Sequence, residues 1–281
     1  MKLQYIGTAA AEAVPALFCE CEVCKRARKA GGKSIRGRSG AMIDGRLMLD
    51  FPPDIYFQSL RLGLELWNVE AILFTHSHCD HVAPTEVCMR DEGCYCHLSP
   101  DRAGRKLQIF CSGEVRDLLR EAFRREFGDP DRPFCAFHLL KAFETVSVLD
   151  YEVTPLPARH AFSEQAFIYL IRRAGRTLLY AHDTGDLYDE NYDFLRRQGI
   201  RLDAASLDCT SFSRPDGYSH MGLSNVEQTV NRLKEIGSVG PETKLIVNHF
   251  SHNCADTYEN MVKTAEPYGV TVSYDGMTVE I

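Results

Sequence analysis

The stretch Thr75-His76-Ser77-His78-Cys79-Asp80-His81 sets three imidazoles and a carboxylate within six residues. Such a concentration of polar groups is costly to bury unless a cation compensates it. Neutral imidazole nitrogen and ionised carboxylate oxygen are suitable donors for zinc, manganese or iron. The competing reading is a polar surface loop with chance histidines. Immediately before the motif lies Ala71–Thr75, a short apolar run that reads as a buried strand.

Working outward, similar runs recur at Leu3–Ile6, Leu47–Leu49, Leu107–Phe110, Tyr151–Thr154, Ala166–Ile171, Thr177–Tyr180, Ala204–Leu207, Lys244–Val247 and Val270–Ser273. Helical patterns fall at Asp54–Leu62, Glu114–Phe127, Asp189–Arg197, Asn225–Ile236 and Thr257–Glu266. This mixture predicts α/β layers with helices covering sheet faces. No repeat, low-complexity tract or linker divides residues 1–281, so one domain is expected. His76, His160, Asp183 and His249 each stand just past a predicted strand, on what would be one loop-bearing rim.

Composition narrows the class. Of 281 residues, 44% are hydrophobic and 25% charged, which excludes disorder, collagen and coiled coil. No run of about 18 apolar residues exists, so no membrane-spanning helix is expected. The N-terminal MKLQYIGTAAAEAVP imitates a leader, but Gln4, Gly7 and Thr8 interrupt its apolar stretch. With 32 basic and 39 acidic residues, the net charge of −7 favours a small substrate over a polynucleotide. The cluster Lys25-Arg26-Ala27-Arg28-Lys29 reads as a solvated helix face. Eleven cysteines, an odd number partly clustered, suit a reducing cytoplasm and metal ligation better than disulfides.

One such cluster is Cys19-Glu20-Cys21-Glu22-Val23-Cys24. Three thiols at this spacing bind zinc readily, and a closed tetrahedron needs a fourth ligand. His252, three residues after His249, is the candidate. The result would be one structural zinc with no open coordination position. Three free loop cysteines are the alternative.

His76-x-His78-x-Asp80-His81 resembles the signature of the metallo-β-lactamase fold, a four-layer αββα sandwich of metallohydrolases. The resemblance spans the chain: His160 matches the third histidine, Asp183 the bridging aspartate and His249 the last histidine. It implies one divalent metal on His76, His78 and His160, and a second on Asp80, His81 and His249, with Asp183 shared. Zinc, manganese and iron all suit these donors. His182 and Asp186 compete with Asp183, and His138, in the probable strand Phe137–Leu140, competes with His160.

The opening Leu-Gln-Tyr-Ile-Gly-Thr, the thiol cluster and His249-x-x-His252 together resemble the PhnP-type phosphodiesterases, which are related to the ribonuclease Z group. That resemblance implies hydrolysis of a small or cyclic phosphodiester through a metal-bridging hydroxide, and it is consistent with a homodimer. It makes His220 the catalytic general acid or phosphate contact, with Asp80 sharing in catalysis as a ligand. A lone solvated histidine is the alternative for His220. Asp50 resembles an aspartate that supports the ligands from behind, although Phe51-Pro52-Pro53 replaces the family's glycine neighbourhood. It is also readable as a strand-end or helix-cap residue.

Cys88, Cys94, Cys96 and His97 belong to an insertion-like stretch, 88–111. Cys-x-Cys-His could ligate another metal, but the Pro, Gly and charge content predicts a surface loop forming one wall above the site. Cys79 reads as a neighbour of the ligands. Competing functions are a thioester, lactone or β-lactam hydrolase, a tRNA-processing nuclease, and a non-hydrolytic metalloprotein.

Overall fold

The computed structural model describes residues 1–281. Fourteen strands form two seven-stranded sheets. The first sheet contains β1 (Lys2–Gly7), β2 (Gly40–Ile43), β3 (Leu47–Leu49), β4 (Ala71–Leu73), β5 (Leu107–Cys111), β6 (Cys135–Leu139) and β14 (Thr278–Glu280). The second contains β7 (Val146–Val148), β8 (Tyr151–Pro157), β9 (Phe167–Arg173), β10 (Arg176–Ala181), β11 (Ala204–Asp208), β12 (Lys244–Asn248) and β13 (Thr271–Val272). Spatial orders are β14-β1-β2-β3-β4-β5-β6 and β13-β12-β11-β10-β9-β8-β7. In each sheet an antiparallel meander continues into parallel strands.

Side-chain alternation builds the layers, because successive strand residues face opposite sides. Along β10, Leu178 and Tyr180 enter the core shared by the sheets, whereas Leu179 and Ala181 face outward to helices. Leu47, Leu49, Ala71 and Leu73 join the same central core, while Met48 and Ile72 turn to the first sheet's outer face. That outer face is covered by α2 (Ile55–Leu62) and α4 (Gly113–Phe127). The second sheet is covered by α5 (Asp189–Arg197), α6 (Leu223–Glu235) and α7 (Tyr258–Ala265). The architecture is the expected αββα sandwich. Two further helices, α1 (Glu22–Ala30) and α3 (Pro84–Cys88), carry loop segments. No helix is long and apolar enough to cross a membrane.

Helix ends follow local chemistry. Ser112 caps α4 by accepting from Val115 N, and Gly128 closes it in the left-handed conformation. Val115, Leu119 and Phe123, four residues apart, form its buried stripe.

The expected strand Ala71–Thr75 ends two residues early, at Leu73. Asp50 explains this: its Oδ1 takes the Thr75 N–H at 2.8 Å, removing Thr75 from the ladder. The expected Phe137–Leu140 lies instead at Cys135–Leu139. Strands β2, β7 and β14 were not anticipated; each has three or four residues, too few to show an alternation.

Candidate dinuclear metal centre

The sheet rims converge at one place. The His76–His81 loop follows β4, His160 follows β8, Asp183 follows β10 and His249 follows β12. Asp50, Asp183 and His249 turn sharply at their strand ends, with φ of 61°, 52° and 68°. Such left-handed geometry in residues other than glycine is disfavoured, by about 1–3 kcal/mol each, and here it aims three side chains at one centre.

Two ligand groups result. The ligating atoms of His76, His78 and His160 lie within 4.8 Å of one another, and so do those of Asp80, His81, Asp183 and His249. Asp183 sits between them. Its Oδ2 is 2.6 Å from His81 Nε2, 3.3 Å from His249 Nε2 and 3.5 Å from His76 Nε2. Its Oδ1 lies 3.7 Å from His160 Nε2. Nε2 of His76, His81 and His249, together with Asp183 Oδ1, are buried without a hydrogen-bond partner. An unsatisfied buried polar atom is destabilising by about 1–3 kcal/mol. Four such atoms converging, with imidazole and carboxylate chemistry, fit a pair of divalent cations.

The remaining ring atoms fix the tautomers. His160 Nδ1 donates to the Ser219 carbonyl at 3.1 Å, leaving Nε2 for the centre. His81 Nδ1 donates to Asp50 Oδ2 at 2.7 Å. Burial holds His76 well below the ordinary imidazole pKa, helped by the neighbouring histidines. His81 is desolvated too, but Asp80, Asp50 and Asp183 together push it well above that value. Asp183 is held well down by His249 and His81 against its complete burial.

The rival residues lie elsewhere. His182 is buried between Ser206, at 2.7 Å, and Asn248, at 3.1 Å. Asp186 accepts from Asn225 Nδ2 at 3.2 Å. His138 lies against Gln108 and stacks on Phe110. Cys79 is exposed and belongs to neither group. Asp50 caps no helix: Asp54 occupies the N-terminal cap position of α2.

The thiol cluster forms a separate site. Sγ of Cys19, Cys21 and Cys24 each lie 3.6 Å from His252 Nδ1. A tetrahedron with Zn–S of about 2.3 Å and Zn–N of about 2.0–2.1 Å has S···N edges of about 3.6 Å. The four donors therefore fit a structural zinc. Cys21 also caps α1, accepting from Cys24 N, and its thiol is held down to about 6, chiefly by the His252 contact.

With fold and clusters established, sequence comparison decides the family. A profile described as a beta-lactamase superfamily domain matches residues 46–250. The chain belongs to that superfamily. An octanoyltransferase of Porphyromonas gingivalis is 24% identical over 289 residues, covering 99% of this chain and 51% of that protein. The chain thus spans about half that relative's length. Coenzyme PQQ synthesis protein B of Methylobacterium nodulans is 24% identical over 322 residues, covering 100% of both. A crystal structure described as a new diphosphatase from the PhnP family superposes with a TM-score of 0.74 at 21% identity, covering 100% of this chain and 97% of that one. The fold is that of metallo-β-lactamase hydrolases, and its His/Asp cluster is compatible with two metals.

Several residues of this beta-lactamase superfamily site escaped the sequence reading. Asp208, at the end of β11, is fully buried and accepts from Asp183 N at 3.1 Å, Thr210 N at 3.0 Å and Met221 N at 2.8 Å. It also meets His220 Nδ1 at 3.4 Å, and with Asp183, His220 and His249 it forms an overlapping ligand-like group. Glu164 accepts from both the backbone and the hydroxyl of Ser77, at 3.1 and 2.7 Å, holding the histidine loop. A cavity of about 390 Å³ opens above the centre, its far wall formed by Ala10, Glu12, Ser251 and Asn253.

The 88–111 stretch does not form that wall. It packs instead on the first sheet's outer side, tied by Arg132 to Asp91 at 2.7 Å. Nor do Cys88, Cys94, Cys96 and His97 converge on one point: Cys88 is buried at the end of α3, and Cys94 is exposed.

Proposed function

We propose that the chain is a single-domain, dinuclear metal-dependent phosphodiesterase acting on a small or cyclic phosphodiester. The observation that carries this reading is the placement of His220. It lies 3.4 Å from both Asp208 Oδ2 and Asp183 Oδ1, and its ring stands 4.9 Å from that of His160. The cavity that it lines contains no lysine or arginine. Burial works against its charge, but the hydrogen bond and charge of Asp208 raise it to about 9.

Two divalent ions held by His76, His78, His160, Asp80, His81, His249 and Asp183 would neutralise phosphate charge and acidify water near neutral pH. The chain's own residues supply the rest. Asp208 accepts from His220 Nδ1 and so leaves Nε2 free for substrate. From there His220 donates a proton to the departing alkoxide or a hydrogen bond to the phosphate. Asp50, behind His81, and Ser219, behind His160, fix ligand orientation. The cavity suits a small substrate, and the acidic chain disfavours a polynucleotide. Manganese and zinc both suit the donor set, and the Cys19-Cys21-Cys24-His252 site takes structural zinc.

The test is turnover of bis(p-nitrophenyl) phosphate with zinc or manganese, against p-nitrophenyl phosphate as the monoester control. Diester hydrolysis that is lost in His76→Ala supports the reading. No turnover in protein that binds two ions would overturn it, in favour of a thioester, lactone or β-lactam hydrolase.

A further inference from the structure

On the outer face of the first sheet, sharing no lining residue with the metal centre's cavity, lies an apolar cleft of about 290 Å³. It is bounded by the short turn Leu66–Asn68, by α3 and by the segment reaching Leu98, with Phe51, Ile72 and Val87 in its lining. Ten of its thirteen lining residues are hydrophobic, and its volume is near the lower end of small-molecule pockets, about 300 Å³. Trp67 and Met89 remain 54% and 39% exposed at its edge, a large apolar surface left facing solvent.

The cleft does not end blindly. A polar groove of about 700 Å³ adjoins it and shares Trp67, Val69, Arg90 and Leu107. Most cations in this groove are already engaged. Arg46 pairs with Glu70 and Asp150, Arg90 with Glu92, and Arg102 with Asp101. Arg105 and Lys106 line the same groove, both exposed, and form no ion pair. An apolar slot thus opens beside two unengaged positive charges. A ligand complementary to both halves has a flexible hydrocarbon tail and one anionic head.

We propose that this cleft is a binding site for a straight-chain carboxylate amphiphile, its tail in the slot and its carboxylate at Arg105 and Lys106. The slot's volume favours a single chain over a broad protein surface, because about 290 Å³ is too small for more than a few side chains. Burial of the tail supplies most of the affinity, and the exposed cations supply head-group preference.

Trp67 is the chain's one tryptophan, so its emission reports this cleft directly. The experiment titrates the metal-loaded protein with sodium octanoate below its micellar range, with acetate and octan-1-ol as controls. Saturable change with octanoate, weaker change with octanol and none with acetate are expected. The Arg105→Glu/Lys106→Glu double variant should weaken octanoate by about fivefold and leave octanol unchanged. Leu98→Asp, at a half-buried position on the rim, should abolish both responses while circular dichroism stays native. Octanoate and acetate acting alike, or octanoate affinity unchanged in the charge-reversed variant, would overturn the proposal. So would emission that depends on protein concentration without ligand and is cured by Leu98→Asp, which would assign the cleft to a second copy of the chain.

Discussion

Asp50 lies 2.7 Å from His81, on the opposite side of the ring from the nitrogen that faces Asp183. The same carboxylate accepts from the backbone and hydroxyl of Thr75, so it fixes both the ring and the strand exit. Asp50→Asn keeps the shape but weakens the charge-assisted bond. Metal affinity, measured by competition with a chelator, should fall about 10–100-fold, as expected when a partner behind a ligating histidine is lost. Unchanged affinity would show that the ring is oriented by its packing alone.

Asp208 serves three buried backbone N–H groups at once. Asp208→Ala leaves those donors without an acceptor, each destabilising by about 1–3 kcal/mol, and frees His220. Denaturant unfolding should show a loss of about 3 kcal/mol or more, with Asp208→Asn recovering part of it.

His220→Ala removes the proposed proton donor and none of the seven proposed ligands. Two bound ions should persist by elemental analysis, while diester kcat drops about 10²–10⁴-fold. A variant of undiminished rate would take His220 out of the chemistry.

Cys24→Ser breaks one corner of the thiol–imidazole tetrahedron. Zinc content should drop by one equivalent and Tm should fall. Residual diesterase activity per folded molecule should stay close to that of the parent at low temperature, since the cluster has no open position.

Asp44 gives an acid-sensitive contact far from either cluster. Burial opposes its ionisation, but Tyr151 Oη, the Lys2 N–H and Arg173 outweigh it and hold its carboxyl below the ordinary range. A depressed pKa stabilises the fold above the unfolded value of about 3.9, and this contribution is lost as pH falls through the folded value. Asp44→Asn should therefore be less stable than the parent at neutral pH. The gap should narrow in urea titrations as acid protonates the parent's carboxyl.

The legible part of the site was the part written locally. His76 to His81 and Cys19 to Cys24 each crowd their donors into one loop, so spacing alone exposed them. His160, Asp183 and His249 were legible because each follows an apolar run and the order matches a known family. Asp208 carried no such signal. It closes the run Ala204–Leu207 and becomes important only because β11 pairs in parallel with β12, setting Asp208 beside Asn248 and under His249. Glu164 is likewise a loop acid whose value lies in Ser77, 87 residues away. The misplaced wall has the same origin: where a long excursion such as 88–111 folds depends on which face offers apolar surface, and composition does not reveal that.

His249 and His252 stand three residues apart, one in each cluster, while the thiols that await His252 come 228 to 233 positions earlier. This spacing orders events during synthesis. Synthesis must run on from residue 24 to residue 249 before the cluster around Asp183 gains its last donor, and three peptide bonds later His252 completes the thiol cluster. Until that moment Cys19, Cys21 and Cys24 lack their fourth partner. A truncation before residue 249 removes one member of each candidate cluster together, so premature products lose a proposed structural ligand and a proposed active-site ligand at the same time.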